Sequence, residues 1–343
     1  MKFDGIKALE REASQSPTAG EVAAQVAEVR RKTTKTNKPY LEIVFADAES
    51  SCTVKIWDNA PWYADCAALE PGMPVGVSAT WRRSEYGMEA TELALRPLSP
   101  GEEEELLAGS AELRDKQQQN WNLVLELAGS IRDPRLRALC QLFLQTFEKR
   151  LRRAAAARTY HHARRGGLVE HIAGMMRCAD KIAEAYPHLN RDLLLAGCLF
   201  HDCGKLWENN YGERDFTMAY AETGEMLGHI ALGIELVNKL WNRLAASPEA
   251  EAWADLQPTS ERVRLHLLHL IAAHHGELQF GSPVPPKTPE AAALHYIDNL
   301  DAKLEMFRGA YETSAPLAPD ILQRKPPLPG NAVLPLPPVA EQE

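Results

Sequence analysis

Seven side chains able to bind a metal recur in the second half of the chain, each in or at the end of an apolar run. His171 follows GGLVE, His201-Asp202 ends LLLAGCLF, His229 sits in GEMLGHIAL, His274-His275 ends LHLIAAHH, and Asp298 sits in LHYIDNLD. Runs of this kind bury their polar residues, and a buried imidazole or carboxylate without a partner costs several kcal/mol. A lone histidine on an apolar face is more often a core residue bonded to one carbonyl. A set of them on successive helices is better satisfied by mutual contact or by a metal. Imidazoles and carboxylates without thiolates suit manganese, iron, zinc or nickel. In His201-Asp202 the imidazole can take one ion while the two carboxylate oxygens bridge to another. Two metals ~3.5–4 Å apart stabilise both the attacking and the leaving oxygen of a phosphate-ester displacement, so phosphoester hydrolysis is the reaction this set fits. His161-His162 and Lys205, in HDCGK, add groups able to hold a phosphate or protonate a leaving oxygen. Asp202, Lys205 and His162 are therefore the candidate catalytic residues. His266, His269 and His295 read as packing or surface histidines, and His188 as a loop residue.

These residues need a helical frame, and the sequence from Leu106 to Arg308 supplies one: NWNLVLELAGSI, LRALCQLFLQTFEKRL, LVEHIAGMMRCADKIAEAY and later segments repeat apolar residues at i, i+3 or i+4. Upstream the period shortens. YLEIVFAD, CTVKIWD, VGVSATWRR and MEATELALRPL are strand candidates separated by turn residues, and GEVAAQVAEVRRKTTK makes a fifth, although Val22, Val26 and Val29 also fit a helical period. With a short helix NAPWYADCAALE between the third and fourth strands, the order is that of an OB-fold barrel. The expected architecture is multidomain, β plus all-α: an N-terminal segment (1–18), a five-stranded OB-fold barrel (19–98), an acidic linker (99–119) containing SPGEEEE, an all-helical domain (120–312), and a tail (313–343) whose eight prolines in 31 residues predict extended or disordered chain.

Composition narrows the function. With 343 residues, 45% hydrophobic and 25% charged, the chain is globular and long enough for two domains. No apolar run approaches the ~20 residues of a membrane helix, and MKFDGIKALEREASQ lacks the apolar core of a secretory signal, so a cytoplasmic protein without membrane contact is expected. Six cysteines without a CxxC pair are expected to be reduced and buried. A net charge of −9 argues against nonspecific coating of nucleic acid and says little about a local groove. Residues 149–165 hold seven Lys or Arg and no acid, and Arg30 to Lys38 hold five more. An OB barrel binds single strands by stacking bases on aromatics along a basic groove. The candidates are Tyr40, Trp57, Trp81 and Tyr86, with Lys55, Arg82 and their basic neighbours. In CTVKIWD, alternation puts Thr53, Lys55 and Trp57 on one face and Val54 and Ile56 on the other. Trp57 or Trp81 could equally fill the barrel.

In order and spacing, YHHARRGGLVEH, LLLAGCLFHDCGK, LGHI, HHG and LHYIDNLDA resemble the HD-domain metal-dependent phosphohydrolases. His171 lies 30 residues before His201, and Asp202 lies 96 before Asp298. Preceded by an OB-like barrel, the whole is similar to the bacterial 3′-to-5′ exoribonucleases of the YhaM type, over about residues 19–310. The resemblance implies metal ligands at His171, His201, Asp202 and Asp298, with His229, His274 and His275 completing a second site and Asp301 as the alternative last carboxylate. It implies one or two divalent ions, manganese first, with iron, nickel or zinc as alternatives. The implied substrate is single-stranded RNA, with single-stranded DNA as an alternative, Lys205, Arg164 and Arg165 neutralising its phosphate. The competing expectation is an HD phosphohydrolase acting on nucleotides or cyclic dinucleotides, the barrel serving regulation or assembly. A homo-oligomer is expected from the general frequency of symmetric assemblies alone.

Overall fold

The computed structural model describes residues 1–84 and 87–337. Helix α1 (Ile6–Gln15) precedes β1 (Thr18–Thr33), β2 (Pro39–Ala46) and β3 (Ser51–Trp57); a short α2 (Tyr63–Ala67) leads to β4 (Pro74–Ser84) and β5 (Gly87–Pro97). The five strands close on themselves in the order β1-β2-β3-β5-β4. All neighbours are antiparallel except β3 and β5, which meet in parallel at Val54 and Met88. Strict alternation in β3 buries Cys52, Val54 and Ile56 and exposes Thr53, Lys55 and Trp57. β1 keeps the same rule only by slipping register between Val26 and Glu28. The bulge lets Val26 sit opposite Phe45 and Val29 opposite Ile43 despite their odd spacing, which is why this strand imitates a helical period.

The N-terminal segment is part of this unit. Ile6, Leu9 and Ala13 of α1 are buried with Phe3 in the barrel core, and the Asp47 carboxylate accepts the Ile6 backbone N–H at 2.6 Å. The acidic stretch expected to be a linker is instead helix α3 (Pro100–Ala108). Ser99 and Glu102 form a reciprocal capping box at its start. Three of its four acids have partners: Glu102 lies 2.7 Å from Arg96, and Glu103 and Glu104 lie 3.0 and 2.9 Å from Arg214.

The helical domain follows as α4 (Ala111–Gly129), α5 (Pro134–Leu151), α6 (Gly167–Ala185), α7 (Arg191–Phe200), α8 (Lys205–Glu208), α9 (Glu222–Ala245), α10 (Ser260–Ala273) and α11 (Pro289–Thr313). Each of α4, α5, α7, α10 and α11 starts at a side chain that accepts a first-turn N–H: Ser110, Asp133, Asn190, Thr259 and Thr288. Their apolar faces share one core, in which α7 is buried from Leu193 to Phe200. A helix buried on all sides can present polar groups only at its end, and His201 and Asp202 stand there. No helix among the described residues is long and apolar enough to cross a membrane.

The tail also departs from expectation. Short strands β6 (Pro316–Ala318), β7 (Ile321–Leu322) and β8 (Ala332–Val333) form a small sheet. Leu322, Leu328 and Ala332 bury themselves with Ala310 against Met306, Phe307 and Tyr311 of α11. Residues 338–343 lie outside the described residues. The six cysteines are free thiols, five of them buried, and burial pushes the Cys52 thiol up to about 12.

Candidate metal centre

Five helices deliver the site. His171 comes from α6, His201 and Asp202 from the end of α7, His229 from α9, His274 and His275 from the end of α10, and Asp298 from α11. Two glycines make the approach feasible. Gly204 lets the turn after Asp202 lie against α9; a Cβ there would meet the His229 carbonyl oxygen at 1.9 Å. Gly228, at φ 67°, breaks α9 immediately before His229.

The orientation of the imidazoles is uniform. Each Nδ1 faces an oxygen: His171 the Asp301 carboxylate at 2.7 Å, His201 the Cys198 carbonyl at 2.9 Å, and His229 the Glu208 carboxylate at 2.8 Å. His274 faces the Ile271 carbonyl and His275 the Phe280 carbonyl, each at 2.8 Å. An Nδ1 bonded to such an acceptor carries the proton, which leaves the Nε2 lone pair as the ligand atom. The Nε2 atoms of His171, His201, His229 and His274 then gather around Asp202, and that of His275 lies against His229. His171 Nε2 lies 3.3 Å from His201 Nε2 and 3.3 Å from Asp298 Oδ1, and His201 Nε2 lies 3.2 Å from Asp202 Oδ2. On the other side, Asp202 Oδ1 lies 3.5 Å from His229 Nε2 and 3.6 Å from His274 Nε2, with His275 Nε2 3.3 Å from that of His229. The groups His171-His201-Asp202 and His229-His274-His275 each have ligand atoms close enough to share an ion.

Electrostatics agrees with a cation site. Burial would raise the Asp202 carboxyl, but Lys205 and His201 outweigh it and hold it well below the usual range; Lys205 Nζ is 2.6 Å from Oδ2. Burial depresses His274 to about 4, so its imidazole is neutral. For His171 burial acts the same way but loses to the hydrogen bonds it donates to Asp298 and Asp301, which raise it to about 10; a proton and a cation therefore compete for its Nε2, and metal binding would release that proton. Asp202 Oδ1 and His274 Nε2 are buried without a hydrogen-bond partner. Two opposed orphan acceptors inside a protein are costly unless a cation sits between them. The donor set therefore fits one or two divalent ions.

An HD domain family model matches residues 168–303, the segment that carries the whole set. The 3′-5′ exoribonuclease YhaM of Bacillus subtilis is 31% identical over 282 residues, covering 81% of this chain and 83% of the relative. The chain belongs to the YhaM family. The corresponding protein of Oceanobacillus iheyensis is 29% identical over 291 residues, 85% of this chain and 86% of that one. The matches to the YhaM relatives extend well beyond the HD segment.

Within this YhaM-family chain, the structure separates the candidates named from sequence. His171, His201, Asp202, His229, His274, His275 and Asp298 converge, and Lys205 joins them. Asp298 faces His171 Nε2, whereas Asp301, one turn later on α11, sits behind the ring on Nδ1. His162 does not face the centre. It is buried with Nε2 2.9 Å from Asp301, so it supports the carboxylate that supports His171. Its neighbour His161 keeps a buried, unpartnered Nδ1 and a ring centroid 6.0 Å from that of His171. Arg164 is not free for phosphate, being paired with Glu170 and with Glu305 at 3.0 Å. Arg165 donates to the carbonyls of Gly212, Glu213 and Asp215, which folds the segment after α8.

On the barrel, Trp81 is 0% exposed and its Nε1 donates to the Gly20 carbonyl at 2.9 Å, so it is core. Trp57 is 46% exposed and packs beside Tyr40, ring centroids 5.2 Å apart; Lys55 shares its face, and Arg82 is exposed on β4. Tyr86 lies outside the described residues. Glu208, which orients His229, was not anticipated, although its place at the end of HDCGKLWE was the available signal.

Proposed function

We propose that this chain is a metal-dependent 3′-to-5′ exoribonuclease that shortens single-stranded RNA. The observation that carries the reading is the convergence of four imidazole Nε2 atoms on the two oxygens of Asp202, with His275 beside His229, in a member of the YhaM family. His171, His201, Asp202 and Asp298 would hold one ion, and His229, His274 and His275 a second with the other Asp202 oxygen. Manganese is the ion we assign, and the same donors accept iron, nickel or zinc. When bound, such ions supply Lewis acidity and make water a nucleophile near neutral pH. The chain's own groups do the rest. Lys205 keeps Asp202 ionised and fixes its rotamer. Asp301, Glu208 and the carbonyls of Cys198, Ile271 and Phe280 hold each imidazole in the tautomer that presents Nε2. His161, with a buried, unpartnered Nδ1, is the hydrogen-bonding group we assign to the phosphate being cleaved.

The strand order and the intervening helix support an OB-fold identity for the barrel. Its proposed RNA face is Tyr40, Trp57, Lys55 and Arg82, which combines stacking surface with positive charge. Degradation of a 5′-labelled single-stranded RNA with manganese tests the reading. A ladder receding from the 3′ end, absent in Asp202→Ala and stopped by a 3′ block, is the expected result. Hydrolysis of a mononucleotide or cyclic dinucleotide with RNA left intact would overturn it in favour of a small-molecule phosphohydrolase.

A further inference from the structure

Tyr220 lies in the segment that joins α8 to α9 and is 77% exposed. An aromatic ring that open to water gains nothing from core packing, yet this one is firmly placed. The Arg158 guanidinium covers its ring at 4.1 Å from the centroid. That guanidinium is itself immobilised by three carbonyls, Met218 at 3.1 Å, Glu208 at 2.8 Å and Ala219 at 3.1 Å. The segment is tied down further by bridges between Ala154 and Asn210 and between Tyr211 and Met218. A ring with one face braced by a cation and the other open is a ready stacking platform, because its rotamer is ordered before anything binds.

Its position gives the platform a purpose. Arg158 holds the carbonyl of Glu208, and the Glu208 carboxylate holds His229 Nδ1 at 2.8 Å. The path from Tyr220 to the metal-centre histidine therefore runs through one guanidinium and one glutamate. Exposed Met226 and Leu227 follow just before His229. We propose that Tyr220 stacks a nucleobase at the 3′ end of the bound strand and so seats the terminal phosphodiester at the centre. The ligand class is an unpaired base of any identity, since every base offers a flat face and nothing at Tyr220 reads its edge. The inference rests on the exonuclease reading and adds to it a substrate contact outside the barrel.

The test uses the full chain with Tyr220→Ala and Tyr220→Phe on a short single-stranded oligoribonucleotide, and a fully abasic oligonucleotide of the same length as a base-free diester. Tyr220→Ala should raise KM for the oligonucleotide on the order of tenfold, the contribution of one base–aromatic stack. Tyr220→Phe should restore it, and turnover of the base-free diester should stay unchanged. An oligonucleotide whose 3′-terminal residues lack bases should lose the same factor with the wild type and nothing further with Tyr220→Ala. Equal losses on both substrates, a loss that persists on the abasic end, or an altered oligomeric state with unaltered RNA kinetics would overturn the assignment, the last marking a protein-docking surface instead. Oligonucleotide affinity measured by anisotropy in an Asp202→Ala background separates the two readings. If the wild type fails to shorten RNA but Tyr220 still governs that affinity, the exonuclease reading falls and the stack stands.

Discussion

At the scale of single residues, the centre depends as much on what lies behind each ligand as on the ligand. Asp298 and Asp301 are three positions apart on α11, and their helical spacing puts one in front of His171 and one behind it. Asp301→Asn keeps an acceptor for Nδ1 but removes the charge that makes the ring a strong donor. Manganese affinity by calorimetry should fall about 10–100-fold, with activity recovering at high metal; unchanged affinity would mean that Asp301 only fills space. The residues that converge were legible because each terminates or interrupts an apolar run, a local signal. Their supports were not, since Asp301 meets His162 across 139 residues and Arg164 meets Glu305 across 141. The two arginines of HHARR looked free for phosphate for the same reason. Trp81 is a different case: Val75, Val77, Ala79 and Trp81 alternate inward along β4, so its burial was readable by the same rule that correctly exposed Trp57.

At the scale of elements, α3 shows how a run of acids becomes a joint. Glu102 closes the capping box with Ser99 and binds Arg96, which also binds Glu21 of β1. Its hydrogen bond with Arg96, and next that with the Ser99 backbone, hold the Glu102 carboxyl well below its usual range. A carboxyl lowered in the folded state adds stability above the unfolded value of ~4.3, and that stability is lost as pH falls through the folded value. Glu102→Gln keeps the box but not the charge, so its melting temperature should lie below that of the wild type at neutral pH. The gap should close as the solution is acidified below about pH 4; a constant gap would assign the effect to packing. The helix was hidden in the sequence because four consecutive glutamates look like solvated linker when their arginines lie elsewhere in the chain. The proline-rich tail misled likewise, its few apolar residues finding cover only on α11.

At the scale of the whole molecule, barrel and helical domain are joined by defined contacts. The buried Gln25 side chain of β1 donates to the Arg214 carbonyl and accepts the Phe216 N–H, each at 2.8 Å. Phe216 packs with Ala46, Ala48, Leu98, Leu106 and Leu113, drawn from both sides of the joint. On the proposed RNA face, Trp57→Ala should raise KM several-fold for RNA long enough to reach the barrel and leave a trinucleotide unaffected. Equal effects on both lengths would place Trp57 outside the RNA path. The joint has a consequence of its own. Because Gln25 fixes the barrel instead of leaving it on a tether, the distance from Trp57 to the metal centre is a property of the fold, and the molecule carries a built-in ruler. A strand held at both ends is gripped only while it is longer than that ruler, so digestion would slow at one characteristic remnant length, set by geometry and indifferent to base sequence.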